Sequence, residues 1–130
     1  MNKTPVAEKC LEITNVQYFQ AKLAYEMTPW TLKGILDKTP DQICLLDVRG
    51  ADSFVKGHLP TALNVPLADL VSKLGTLPKN KTLVTYCSNL TCALAPKAAL
   101  ELAQKGFKVM QLMGGIANWT ENGFPVEKNA

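Results

Sequence analysis

Residues 82–106 read TLVTYCSNLTCALAPKAALELAQKG, and their pattern indicates the class of fold. Its first five residues, Thr82–Tyr86, are mainly β-branched, apolar or aromatic, a composition that favours a short strand. Pro96 suits the first turn of a helix, and the apolar residues after it keep helical spacing to about Lys105. Gly106 then supplies a stop signal. The stretch therefore predicts a strand, a loop and a helix, the repeating unit of α/β domains.

The same alternation continues on both sides of this unit. Residues 43–48, ICLLDV, form a short apolar run that is typical of a strand buried on both faces of a parallel sheet. Further strands are predicted at 62–65 and 108–113, and helical segments at 28–38, 67–74 and 116–122. The chain is thus expected to be an α/β domain with a mainly parallel sheet, which binds ligands beyond the carboxyl ends of its strands.

The N-terminal segment has a different pattern from the rest of the chain. Within residues 4–24, apolar side chains recur at steps of three or four, which predicts an amphipathic helix. The residues that set this spacing are Val6, Cys10, Ile13, Val16, Phe19 and Leu23. We therefore divide the chain into an N-terminal helical extension, residues 1–25, and a main domain, residues 26–130.

Composition excludes several classes of protein. Of the 130 residues, 47% are hydrophobic and 19% are charged, which is enough apolar material for one folded core. The net charge of +3 is dispersed along the chain, so neither a nucleic acid nor a membrane is expected as a partner. Charges interrupt the N-terminus where a signal peptide needs an apolar run. We therefore expect a cytoplasmic protein.

The cysteines and the one histidine do not form a metal-binding pattern. The four cysteines are Cys10, Cys44, Cys87 and Cys92, and they lack the paired short spacings of a zinc site. His58 is the one histidine available as a nitrogen ligand. We expect no metal and no cofactor. In a reducing cytoplasm these thiols are expected to be free unless they react as part of a function.

Cys87 stands at the exit of a predicted strand, shortly before a helix begins. Backbone N–H groups of a tight loop there, together with the helix dipole, would stabilise a negative charge at the centre of the loop. Cys87 would then have a lowered pKa and act as a nucleophile without a separate base. The alternative is that Cys87 ends a buried strand as ordinary packing, since free cysteine is often buried.

Five segments, in order and at compatible spacing, resemble a single-domain rhodanese over residues 28–126. They are LLDVR at 45–49, GHLPTALNVP at 57–66, YC at 86–87, KAA at 97–99 and MGGIANW at 113–119. The resemblance implies a three-layer α/β domain whose mainly parallel sheet has roughly five strands and is flanked by helices. It also implies a sulfurtransferase.

By this resemblance Cys87 is the catalytic residue. It takes sulfane sulfur from a donor, holds it as a persulfide and passes it to a thiol acceptor. The donor is left open among thiosulfate, a polysulfide and a protein persulfide, and the acceptor is a small thiol or a protein thiol. The resemblance assigns substrate binding to the loop residues Ser88, Asn89, Leu90, Thr91 and Cys92. The oligomeric state is left open.

Cys92 departs from the usual pattern of such loops. A rhodanese commonly has an arginine five residues after the cysteine, where it helps to hold an anionic donor, and here Cys92 occupies that position. The chain resembles a subgroup with a second cysteine at this place. Two cysteines five residues apart can approach within disulfide range, so Cys92 is a candidate resolving thiol. Alternative functions are therefore a redox protein that cycles Cys87–Cys92 and a non-catalytic binding module of the same fold.

Two further residues follow predicted strands or turns. Arg49, the one arginine, could orient an anionic donor, or it could pair with a carboxylate such as Asp47 and with loop backbone. His58 lies in a segment to which the resemblance assigns a structural turn, although a general base is the functional alternative. Arg49 is included among the candidate substrate-binding residues.

Overall fold

The computed structural model describes residues 12–128, and its centre is a five-stranded sheet in which every pairing is parallel. The order across the sheet is β1-β5-β4-β2-β3. The strands are β1 Glu26–Met27, β2 Ile43–Asp47, β3 Leu63–Asn64, β4 Thr82–Tyr86 and β5 Val109–Leu112. The predicted α/β class and parallel sheet are confirmed. Strand β1 was not predicted, because two residues are too few to show a periodic pattern.

Six α-helices lie within the described residues. They are α1 Asn15–Tyr25, α2 Pro29–Lys38, α3 Ala51–Lys56, α4 Leu70–Lys73, α5 Leu94–Gln104 and α6 Gly115–Glu121. Short 3₁₀ turns span Pro40–Gln42, Leu67–Asp69 and Leu74–Thr76. The predicted cap of α2 is confirmed, since the Thr28 side chain accepts a hydrogen bond from the Thr31 amide. Helix α3 was missed. The helical segment predicted at 67–74 is confirmed, as a succession of 3₁₀ and α turns.

The adjacent inner strands β2 and β4 bury alternate residues on opposite faces of the sheet. Leu46 and Leu83 belong to the cluster that also contains residues of α4 and α5. Leu45 and Val84 belong to the cluster on the other side, with residues of α2 and α6. Burial on both faces explains why β2 and β4 read as nearly continuous apolar runs. The result is the three-layer arrangement that was predicted.

Helix α1 corrects the prediction for the N-terminus. Thr14 is the N-cap, with its side chain accepting from the Gln17 amide and the Gln17 side chain accepting from the Thr14 amide. This capping box fixes the start of the helix at Asn15. Residues 12–14 were predicted to be helical, and they are not. The part of the predicted helix before residue 12, with Cys10, lies outside the described residues. The division of the chain at residue 25 stays a prediction.

Strands β2 and β4 end together at one edge of the sheet. In their register Asp47 is the partner of Tyr86, so the residues that follow both strands emerge side by side. Cys87 follows β4, and Val48 and Arg49 follow β2. This edge is where open parallel sheets place ligands. From Glu12 to Lys128, no helix has both the length and the apolar character needed to cross a membrane.

Candidate active site

Cys87 occupies the position that the sequence predicted for it. It directly follows central strand β4, and helix α5 begins seven positions later at Leu94. The residue is 2% exposed and belongs to a core cluster with Val48 and Ala95. Its backbone is therefore held by the core on one side and by a short loop on the other.

Cys87 and Cys92 are joined by a disulfide, with their Cα atoms 6.3 Å apart. The predicted approach of the two cysteines to disulfide range is therefore confirmed. Cys92 is only half-buried, whereas Cys87 is almost fully buried. An external thiol consequently reaches the Cys92 side of the bond more easily.

Asn89 organises the loop between the two cysteines. Its side-chain Oδ1 accepts hydrogen bonds from the Thr91 amide and the Thr91 hydroxyl, both at 3.1 Å. Its carbonyl accepts a 3.2 Å bond from the Cys92 amide. Asparagine commonly forms such turns by bonding to the backbone two residues ahead. The two amides are thus engaged within the disulfide-closed loop, and an amide-lined pocket around a Cys87 thiolate stays a prediction for the reduced protein.

Helix α6 supports the loop from its other side. The amide of Ile116 donates to the Cys87 carbonyl at 3.0 Å, and that of Ala117 donates to the Ser88 carbonyl at 2.9 Å. Gly115 makes this approach possible. Its φ is +62°, and a Cβ there would lie 2.6 Å from the Cys87 carbonyl oxygen. Gly114 and Gly115 are not among the site residues predicted from the sequence.

A buried hydrogen-bond network fixes the neighbouring strand end. Asp47 is fully buried, and its carboxylate accepts from the Tyr86 hydroxyl at 2.7 Å. The Arg49 amide and Nε donate to Asp47 Oδ1 at 3.0 and 2.9 Å, and Arg49 Nη2 donates to Oδ2 at 2.6 Å. The Tyr86 hydroxyl also accepts from the Leu59 amide at 3.1 Å. Every buried group in this network has a partner, as a stable buried ion pair requires.

The network changes the acid–base properties of two of its members. Burial acts to lower the pKa of Arg49, but hydrogen bonding to Asp47 and its negative charge outweigh burial, so the pKa is raised. Burial raises the pKa of the Tyr86 hydroxyl, and the Asp47 charge raises it further. Arg49 therefore stays charged and Tyr86 stays protonated over the physiological range.

The predicted pairing of Arg49 with Asp47 is confirmed, and its Nη2 also donates to the Gly57 carbonyl at 2.6 Å. Substrate binding by Arg49 stays a prediction. His58 is 4% exposed, lies in an isolated bridge with Glu127, and stacks on Phe54 with ring centroids 3.7 Å apart. These contacts are backbone pairing and packing, and the turn predicted for this segment lies just after His58, at residues 60–61. The remaining described cysteine, Cys44, is half-buried, and burial raises its pKa.

A shallow cavity of about 370 Å³ adjoins the cysteine loop. It lies between the loop and the outer face of α6, and the residues lining it include Asn89, Leu90, Met113, Ala117, Asn118 and Glu121. Leu90, at the tip of the loop, is 77% exposed. Within residues 12–128, no group of three or more histidine, cysteine or acidic side chains comes together as a metal site would require.

Residues 28–122 match the family described as Rhodanese-like domain. The chain is 30% identical over 87 residues to the Sulfurtransferase of Allochromatium vinosum, a match covering 66% of this chain and 79% of that protein. It is 34% identical over 89 residues to the HTH-type transcriptional regulator Rv0324 of Mycobacterium tuberculosis. That match covers 68% of this chain but 39% of the regulator, so the chain spans well under two thirds of that relative.

Among solved structures, the crystal structure of the BH2092 protein from Bacillus halodurans is similar to this chain with a TM-score of 0.80 and 34% identity. The similarity covers 87% of this chain and 83% of the other. The fold is thus shared over 87% of this chain.

Proposed function

This chain belongs to the family of rhodanese-like domains, and on that premise we propose that it is a sulfurtransferase that carries sulfane sulfur as a persulfide on Cys87. The observation that supports the proposal most directly is the position of Cys87. It follows the central strand β4, its carbonyl is held by the Ile116 amide, and a second thiol lies within bonding distance. Thiolate chemistry of this kind needs neither a metal nor a cofactor.

The transfer has two displacement steps. The Cys87 thiolate attacks the outer sulfur of a donor R–S–S⁻, a new S–S bond forms on Cys87, and the donor's S–S bond breaks to release R–S⁻. An acceptor thiolate then attacks the outer sulfur of the Cys87 persulfide. The bond to Cys87 breaks, the acceptor leaves as its own persulfide, and the Cys87 thiolate is regenerated. The substrate-binding role of Ser88, Asn89, Leu90, Thr91 and Cys92 is part of this proposal.

The disulfide form must be reduced before this cycle can begin. An external thiolate attacks the more exposed Cys92 sulfur, forms a mixed disulfide there and releases the Cys87 thiolate. A second external thiolate then frees Cys92, and the reductant leaves as its own disulfide. Two electrons thus pass from two reductant thiols to the Cys87–Cys92 pair.

Intact mass spectrometry of the reduced protein tests the proposal. After exposure to a polysulfide, the chain should gain one sulfur atom, and peptide mapping should place that atom on Cys87. Cys87→Ser should abolish the gain, while Cys44→Ser, which removes the remaining described thiol, should retain it. If Cys87→Ser still loads and transfers sulfur at the rate of the unmodified chain, the proposal is wrong.

The Cys87–Cys92 bond favours a second candidate function, a thiol–disulfide redox protein. Attack by the Cys92 thiolate on the inner sulfur of a Cys87 persulfide would form the disulfide and release hydrosulfide. Cys92→Ser separates the two functions. On the sulfurtransferase proposal this variant still loads sulfur and passes it to acceptors. If the chain is a redox protein, the variant can no longer form the Cys87–Cys92 disulfide, so it loses both reversible oxidation and activity. A chain that shows neither sulfur loading nor thiol–disulfide cycling would favour a non-catalytic binding module.

A further inference from the structure

The cavity beside the cysteine loop is lined by a negative charge, whereas an anionic substrate would require a positive one. Of the described side chains that line it, Glu121 alone carries a full charge. Its Oε1 accepts a 3.1 Å hydrogen bond from Asn118 Nδ2, and within residues 12–128 no donor reaches its Oε2. The carboxylate is exposed, so this second oxygen is open to a ligand in the cavity.

The positive charge that could offset Glu121 is held elsewhere. Arg49 is bound to Asp47 and to the Gly57 carbonyl, in the network on the other strand end. Position 92, five residues after the nucleophile, carries a cysteine rather than a cation. A small molecule that enters the cavity with a carboxylate therefore meets a like charge, whereas one with an ammonium group meets an opposite charge.

The rest of the cavity suits the carbon chain of a small thiol. Leu90, Met113 and Ala117 contribute apolar lining to the cavity, and Asn118 with Glu121 contributes polar lining. Its volume of about 370 Å³ lies at the low end of the range for small-molecule sites. One wall is the loop segment Asn89–Leu90, which lies between the two bonded cysteines.

We propose that Glu121 is a specificity-determining residue, which favours small thiol acceptors with a cationic group at the end remote from sulfur over acceptors with a carboxylate there. This inference rests on the proposed sulfurtransferase function. In the transfer step, the acceptor thiolate attacks the outer sulfur of the Cys87 persulfide, the bond to Cys87 breaks, and the Cys87 thiolate leaves. Glu121 takes no part in bond making and acts by attracting the cationic end of the acceptor.

Three acceptors of similar size test the proposal: cysteamine, 2-mercaptoethanol and 3-mercaptopropionate, which are cationic, neutral and anionic at the end remote from sulfur. The reduced full chain is first loaded with sulfur, and loss of the persulfide is then timed with each thiol at low salt. Rates in a variant are divided by rates in the unmodified chain for the same thiol, so the differing reactivity of the thiols cancels.

Glu121→Gln should lower the cysteamine to mercaptopropionate rate ratio roughly twofold to fivefold, and Glu121→Lys by more, roughly tenfold. Both effects should shrink at high salt, because salt screens exposed charges. Asp41→Asn is the matched control. It removes one negative charge just before β2, at the opposite edge of the sheet, and should leave the ratio unchanged.

Two negative results have different meanings. If the loaded chain transfers sulfur to all three thiols and both Glu121 variants keep the original ratio, the charge selection is wrong and the proposed function stands. If the chain never loads sulfur, or the neutral 2-mercaptoethanol removes none, the proposed function and this inference both fail.

Discussion

The hydroxyl of Tyr86 donates a 2.7 Å hydrogen bond to the buried carboxylate of Asp47. Tyr86 directly precedes Cys87 in the chain. The bond joins the carboxyl ends of the adjacent inner strands β4 and β2. Because Arg49 holds the same carboxylate, the end of β4 cannot move without disturbing a buried ion pair. The position of Cys87 is thus set by the packing of the sheet edge as well as by its own loop.

Tyr86→Phe should therefore destabilise the fold. The substitution keeps the ring but removes one donor to Asp47 and leaves the buried Leu59 amide without its acceptor. We expect the free energy of unfolding to fall by about 1–3 kcal/mol, measured by urea denaturation of the reduced chain at neutral pH. Tyr25→Phe is the control, because Tyr25 is 62% exposed and its change should be close to zero. Equal stability of the two variants would contradict the importance of the network.

The same tyrosine should make stability depend on pH in alkaline solution. Its pKa is raised in the folded chain above the usual value of 10.0, so above that pH the unfolded chain binds fewer protons at this site than the folded chain. Its contribution to stability is therefore fully present below the unfolded pKa and is lost as pH rises toward the folded pKa. By about pH 11 the loss should reach roughly 1.4 kcal/mol.

Tyr86→Phe isolates this effect, because the variant lacks the ionisable hydroxyl and keeps the other titrating groups. The stability difference between the unmodified chain and the variant should narrow by about 1.4 kcal/mol between roughly pH 9 and pH 11. A difference that stays constant over that range would show that Tyr86 ionises alike in the folded and unfolded chains.

Gly115→Ala should displace the cysteine loop and also destabilise the fold. At φ +62° any Cβ is strained, and here it would also lie 2.6 Å from the Cys87 carbonyl oxygen. Gly123→Ala is a matched control, since Gly123 has φ +78° and nothing within 4 Å of the added Cβ. We expect the control to lose about 1–2 kcal/mol of stability and to keep the rate of persulfide formation.

Gly115→Ala should lose more stability than this control and should also form the persulfide roughly tenfold to a hundredfold more slowly, because displacement of a reacting group is costly. Persulfide formation is timed at a temperature where both variants are folded. If Gly115→Ala reacts as fast as Gly123→Ala, the close approach of α6 does not position Cys87.

Periodic and capping signals made most of the fold predictable from the sequence. Strand β4 was predicted at Thr82–Tyr86, and α2 was predicted from Thr28 and Pro29, because each depends on local composition. The helix at Ala51–Lys56 was not predicted, because six residues are too few to show a clear helical period and Gly50 at its N-cap has no side chain to cap it. The helix predicted over residues 4–24 is wrong at residues 12–14, because the capping box at Thr14 starts α1 at Asn15 and apolar spacing alone does not reveal that boundary.

The candidate site likewise contains features that the sequence predicted and features that it did not. The position of Cys87 and the pairing of Arg49 with Asp47 followed from strand ends, which sequence patterns locate well. The Gly115 approach and the Tyr86 hydroxyl bond did not, because each depends on a partner far away in the sequence. Gly114 and Gly115 are the signal that the sequence offers, because paired glycines favour a turn, but they do not indicate what the turn contacts.

Cys92→Arg should make the site more receptive to an anionic sulfur donor. Cys92 occupies the position at which such loops commonly carry an arginine, and a charge-assisted contact there is worth roughly 1.5–3 kcal/mol. Relative to Cys92→Ser, which also lacks the second thiol, kcat/KM for thiosulfate should rise by about one to two decades. The gain should be confined to anionic donors and should weaken at high salt. An equal rise with a neutral trisulfide donor, or no rise with thiosulfate, would show that a cation at position 92 does not determine which donor this loop accepts.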